Sequence, residues 1–317
     1  MNVQMFFAEK DFKYEKRFFR DGGLFRAYFF SGAMQSAWMI AASFCFACMG
    51  VCVKLAAESF SAAEIIFYRS AISLVLMFAL VRLRGVAIAT PLWRFQLLRA
   101  ASGFISLLLY FYAIAMLPLA TAVTLNYTSP LFLAIYLGWF GKMRLRPSML
   151  GALLLGFAGV ALLLHPTLHA DQIPGGLIGL GSGVMAGLAY YNVRELGARG
   201  EAEERTVFYF SLLSTVVSAL WMALYEFHPV DFRAALLLFG VAAFATLAQL
   251  AMTRAYKRGK TFVSASLAYT TVIFASLFGM VIWQERLSAG AWMAIALIVA
   301  SGIVATGFSR ANPAEQD

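Results

Sequence analysis

Charge is scarce in this chain. Asp, Glu, Lys and Arg make up 13% of its 317 residues, about half the share of a typical soluble domain. Another 62% are hydrophobic before glycine is counted. Two soluble domains, which the length alone would allow, lack the polar surface to enclose such a core. Long polar links are missing as well. Ten apolar segments follow one another at 35–56, 62–82, 97–117, 121–140, 148–165, 174–194, 206–225, 235–254, 261–282 and 288–308, each long enough for a hydrocarbon layer of about 30 Å. Nothing reads as a β-strand. The sequence predicts an all-α membrane protein of ten transmembrane helices, with the lipid bilayer as its first partner.

Histidine, cysteine and intramembrane acid are sparse too. His165, His169 and His228 all fall in links, and Pro166 spoils helical pairing of the first two. Cys45, Cys48 and Cys52 share one helix face at i, i+3, i+7, where small side chains pack on a neighbour. No metal and no cofactor is expected. Only Glu64, near a span's edge, is an acid inside an apolar segment, so no proton relay of the Asp/Glu/His type is visible. The spans hold no HExxH motif and no Ser–His or Cys–His pairing, which argues against an enzyme.

What charge there is marks topology. With the N-terminus in the cytoplasm, inward-facing regions hold Arg82, Arg84, Arg94, Lys142, Arg144, Arg146, Arg194, Arg199, Arg205, Arg254, Lys257, Arg258, Lys260 and Arg310, against Arg233 and Arg286 in outward links. The bias puts both termini in the cytoplasm. It also accounts for the net charge of +9 without nucleic acid as a partner. Residues 1–33 mix six basic with four acidic residues and lack the basic start and clean apolar core of a signal peptide. They read as a cytoplasmic extension, from an upstream-extended gene start before Met34 or as an interfacial amphipathic segment.

The chain repeats itself. FYRSAIS at 67–73 matches FYFSLLS at 208–214, and LNYTSPLF at 125–132 matches LAYTTVIF at 267–274. RL at 144–145 matches RL at 286–287, and FAGVA at 157–161 resembles ASGIVA at 300–305, so the offset stays at 141 to 143. Two units result, 34–166 and 174–308, with a cytoplasmic tail at 309–317. Each unit has five spans, an odd number, so the second sits inverted. The links agree: LPLA at 117–120 carries no base, while its counterpart RGKT at 258–261 carries two. Inverted repeats are characteristic of secondary transporters, whose sites lie near the midplane where the halves meet.

These features resemble the paired EamA-type domains of the drug/metabolite transporter superfamily. The likeness rests on FYRS, the AIAMLPLATAVTLNYTSPLF passage, GALLLGFAGVALL and the WQERLS ending of the second unit, and covers about 34–308. Family members often carry a Glu before the Arg-Leu that closes span four; Met143 stands there, and only the second copy keeps it, as Glu285. The resemblance implies a ten-helix transporter in a bacterial inner membrane, with a small-molecule substrate.

Arg69 stands out. A guanidinium inside a membrane helix costs roughly 2.5–3.5 kcal/mol even on gentle insertion scales, and its repeat mate is Phe210, so the architecture does not require it. Two readings stay open: it bonds carbonyls where helices cross, or it faces a cavity and pairs with an anionic group of the substrate. In span three, Arg99, Ser102, Ser106 and Tyr110 form a stripe; Arg99 is expected to snorkel to the inner surface, which leaves Tyr110 for the cavity. Span four offers Asn126 and Tyr127 before Pro130, which should kink the helix; span nine offers the mates Tyr269 and Thr270. These groups could be lining or interhelical glue. Tyr190 and Asn192 lie in the inner half of span six, and Thr246, Gln249 and Thr253 share a face of span eight. The substrate-binding candidates are therefore Arg69, Tyr110, Asn126, Tyr127, Tyr190, Asn192, Gln249, Tyr269 and Thr270. The expected function is secondary transport of a small organic metabolite, amino-acid-like or nucleoside-like, by alternating access. The alternative is proton-coupled export of lipophilic cations.

Overall fold

The computed structural model describes residues 35–117, 119–141, 146–164, 172–223, 227–284 and 288–310. Expectations about residues 1–33, Lys142, Met143, Arg144, His165, His169, Glu285 and Arg286 lie outside them. Twelve helices occur among the described residues: α1 Trp38–Ala56, α2 Ala62–Leu83, α3 Trp93–Met116, α4 Leu119–Asn126, α5 Ser129–Trp139, α6 Pro147–Leu164, α7 Ile173–Ala198, α8 Glu203–Met222, α9 Phe232–Arg258, α10 Thr261–Ala268, α11 Thr270–Trp283 and α12 Ala289–Arg310. They make ten spans, because α4 with α5 and α10 with α11 each form one interrupted crossing. Large apolar side chains such as Val75, Trp139, Leu236 and Val281 point outward, as a lipid-facing surface requires.

Local chemistry sets the ends. Ser61 and Glu64 form a reciprocal capping box at the start of α2, satisfying two otherwise orphaned N–H groups. Gly85 (φ 63°) and Gly200 (φ 77°) end α2 and α7 in the left-handed region. The amides that follow, of Val86 and Glu201, reach back to the Val81 and Leu196 carbonyls at 3.0 Å, a closure that favours glycine.

The packing is two-fold. α1 lies along α9 as α7 lies along α3; α2 packs on α8, and α6 on α12. These partners exchange under the repeat offset, so the two copies interlock around a common axis. The same symmetry reaches the ends. At one end, Glu64 accepts from the His228 amide at 2.7 Å and lies 2.9 Å from its Nδ1. At the other, Arg205 donates through Nε to the Ala87 carbonyl at 2.6 Å and pairs with Glu201. Glu64 to Arg205 and Ala87 to His228 are both 141 residues apart, so one clasp is the inverted copy of the other. The Arg205 end also carries the pairs Arg84–Glu204 and Arg258–Glu203; Lys54, in the last turn of α1, is a base at the opposite end.

Both interrupted crossings give way at the same place. After Asn126 the ladder tightens to three-residue bonds, Thr128 N to Leu125 O at 3.2 Å and Leu131 N to Thr128 O at 2.9 Å. After Ala268 it does likewise, Tyr269 N to Ser266 O at 3.4 Å and Val272 N to Tyr269 O at 3.1 Å. Thr128 Oγ1 donates to the Leu125 carbonyl at 2.6 Å, and Thr270 Oγ1 to the Leu267 carbonyl at 2.7 Å. The break expected beside Pro130 is there, but the second copy breaks without a proline. Pro130 sits in the first turn of α5, where its missing N–H is no loss, and the second copy yields at the same point with Val272 in its place. The α7 backbone touches the first interruption through Gly183, where a Cβ would stand 2.2 Å from Thr128 Oγ1 and 2.7 Å from the Leu125 carbonyl. Ser43 of α1 does the matching work in the second, reaching the Leu267 carbonyl at 3.4 Å.

Candidate functional site

Repeat-related positions meet at one cavity on the two-fold axis. α2 contributes Arg69, Ser70 and Ser73, α8 contributes Phe210 and Ser211, and α9 contributes Thr246 and Gln249. Arg69 and Phe210 are repeat mates, and so are Ser70 and Ser211. The cleft is narrow, with room for about one water molecule. Arg69 is 9% exposed, and its Nε has no hydrogen-bond partner. Thr246 Oγ1 donates to Ser73 Oγ at 2.8 Å and fixes that wall.

Arg99 belongs to the same constellation, which corrects the expectation that it snorkels. It is 2% exposed. Nη2 donates to Gln249 Oε1 at 2.9 Å, and the guanidinium lies 4.3 Å from the centre of the Phe210 ring. Its Nε and Nη1 have no partner. Gln249 and Phe210 therefore touch Arg99 and line the cavity that Arg69 enters. The two guanidinium groups feel each other's charge, and no described carboxylate pairs with either of them.

A tyrosine cluster adjoins. Tyr127 and Tyr269, mates at the two interruptions, face each other with ring centres 6.3 Å apart, and Tyr190 stacks on Tyr256 at 5.2 Å. Tyr190 interacts with Ser129 and, electrostatically, with Arg99, which ties the cluster to the cavity. The hydroxyls of the buried Tyr256 and Tyr269 have no partner. Buried polar groups left open in this way call for water or a ligand.

The remaining residues expected at the site are placed elsewhere or engaged. Asn126 donates to Ser182 Oγ at 3.0 Å, while Ser106 donates to the Ser182 carbonyl at 2.8 Å; this joins the fourth, sixth and third spans. Asn192 is buried and bonds the Leu188 carbonyl of its own helix at 2.9 Å. Thr270 closes the second interruption. Tyr110 packs on Ala113, Leu117 and Ala122 and interacts electrostatically with Tyr127, without lining the cavity itself. Among the described residues no group of three or more His, Cys, Asp or Glu could hold a metal ion.

Two residues of this centre escaped the sequence reading. Phe210 was noted only as the mate of Arg69. Tyr256 continues the face of Thr246, Gln249 and Thr253 at the same helical spacing, a signal that lay in view.

Comparison with known proteins agrees with this architecture. The family model for the EamA-like transporter family matches residues 34–165 and 173–307, once per repeat. The pseudopaline exporter CntI of Pseudomonas aeruginosa is 32% identical over 246 residues, covering 78% of this chain and 86% of the exporter. A riboflavin transporter of Brucella anthropi is 23% identical over 272 residues, covering 84% of this chain and 95% of its own. One crystal structure superposes with a TM-score of 0.78 at 22% identity, covering 88% of this chain and 100% of the other; that likeness speaks to the fold alone.

Proposed function

The chain belongs to the EamA-like transporter family, and on that premise we propose that it is a secondary carrier moving a small organic metabolite by alternating access between its inverted repeats. One observation carries this reading: a buried arginine with an open Nε lines a cavity built from equivalent positions of both copies. An ionisable group at that depth has a functional role by default, and a site on the axis is reachable from either side when the halves rock. The substrate carries a carboxylate for Arg69 and an apolar or ring portion for Phe210, in the manner of an amino-acid-like or nucleoside-like solute. The bias of bases toward the Arg205 end supports cytoplasmic termini and an inner-membrane location.

The test is flux. Purified protein in proteoliposomes is screened against a metabolite library, and Arg69→Ala is compared with the parent. Transport of an anionic solute that Arg69→Ala abolishes is the expected result. Unchanged transport of every anionic solute removes the arginine's role.

A further inference from the structure

Arg69 and Arg99 approach the cavity from opposite ends of the membrane. Arg69 lies seven residues into α2 and Arg99 six residues into the antiparallel α3, so each sits about 10 Å along its helix from opposite starts. Two like charges thus converge on Phe210 and Gln249 with no carboxylate partner among the described residues. Five of the described acids near the helix ends are already taken: Glu64 by His228, Glu195 by Arg194, Glu201 by Arg205, Glu203 by Arg258 and Glu204 by Arg84; Asp231 caps α9. Two buried cations at one water-poor centre are costly unless something anionic joins them. Three of their nitrogens remain open, Nε of Arg69 and Nε and Nη1 of Arg99.

Building on the reading of this cavity as the substrate site, we propose that the transported solute bears two anionic groups, one for each guanidinium, joined by a short segment that lies against Phe210. A guanidinium recognises a carboxylate through parallel N–H donors. Gln249 spends its carbonyl oxygen on Arg99, which leaves its amide nitrogen as one more donor toward an anion. A monoanion leaves one buried cation unmatched, and a cation meets two repelling charges. Charge balance therefore selects an organic dianion over both.

Glutarate, its monoamide and its diamide test this, because they share size and differ by one charge at each step. Thermal unfolding of the purified full chain in detergent is followed with each probe at equal millimolar concentration. Glutarate should stabilise most, the monoamide less and the diamide least. Arg69→Gln and Arg99→Gln should each erase the advantage of glutarate over the monoamide. Equal shifts from the three probes, or a ranking that survives in both variants, overturns the proposal. Without probe, Arg69→Met should melt above the parent, because an unmatched cation has been removed. A lower melting point makes Arg69 a structural strut and also overturns it, as does failure of both glutamine variants to fold. Library flux into proteoliposomes separates the two readings. Flux with a flat glutarate series ends only the dianion; no flux of any solute ends the carrier.

Discussion

In the fourth span Thr128 closes the interruption on the Leu125 carbonyl, and in the ninth Thr270 closes the equivalent one on Leu267, with lengths of 2.6 and 2.7 Å. In the second and seventh spans the same two copies set Arg69 against Phe210. Agreement between inverted copies marks what the architecture demands of either one: a weak point at mid-crossing with its carbonyl answered locally. Disagreement marks what the architecture does not demand of both copies, and on the proposed reading the buried charge there serves the substrate. Arg99 follows the same logic, since it is matched by no buried base across the axis and leans on the aromatic ring that replaced one.

Exchanging the two residues tests this contrast most severely. Arg69→Phe should cut transport about 30-fold or more, because losing a buried contact to charge is worth about 2–5 kcal/mol and every 1.4 kcal/mol is tenfold. Adding Phe210→Arg should recover at least about tenfold, as the charge returns to the same cavity from the other copy. Flux in proteoliposomes measures both. A double variant no better than the single one shows that the two positions are not interchangeable about the axis.

The clasps offer a second contrast, in stability. Glu64 is 1% exposed and takes contacts from Ser61 and His228, whereas the Arg205 side chain is 17% exposed. Glu64→Ala should therefore cost about 2 kcal/mol, combining a lost cap with a His228 amide left without its acceptor. Arg205→Ala should cost about half of that, since the side chain removed is itself partly exposed and Thr90 still donates to Glu201. Denaturant unfolding in detergent gives both values; a larger loss for Arg205→Ala reverses the ranking of the two ends.

Much of this was legible from residues alone. The offsets of 141 to 143 located the repeat, the spans fell within a few residues of the helices, and Arg69 stood out by its cost. Arg99 was misread for a physical reason: the span was expected to open at 97, but α3 begins at Trp93, which carries Arg99 about a turn deeper than a snorkelling side chain needs. Tyr256 was missed in the same way, because the eighth span was expected to end at 254 and α9 continues to Arg258. Polar ends such as WRF and RAYKR lower apparent hydropathy, although the helix runs on through them. The partners of Asn126 and Asn192 depend on which neighbour lies within reach, and no periodicity encodes that.

A finer contrast lies between the two closing threonines. Thr128→Val should cost about 1 kcal/mol and Thr270→Val somewhat less, within the range of single intramembrane hydrogen bonds. Thr128 is buried and lies against Gly183, while Thr270 is half-buried. Equal losses in unfolding experiments show that the local bond alone decides; the expected inequality shows that helix packing adds to it.

Pro130 should matter least, although a proline in mid-span reads as the most disruptive residue in the chain. Inside a continuous helix it would cost about 3 kcal/mol, so Pro130→Ala would be a large gain if the proline caused the interruption. Val272 occupies the equivalent site and donates to the Tyr269 carbonyl at 3.1 Å, yet the ladder tightens there too. An alanine at 130 supplies that same bond to the Tyr127 carbonyl and gives up the entropy advantage of proline, about 0.4–1 kcal/mol in the unfolded chain. The two effects nearly cancel. Unfolding of Pro130→Ala should shift stability by less than Thr128→Val does, and a gain approaching the full helix-interior figure would mean that the first copy is interrupted by its proline and the second by something else.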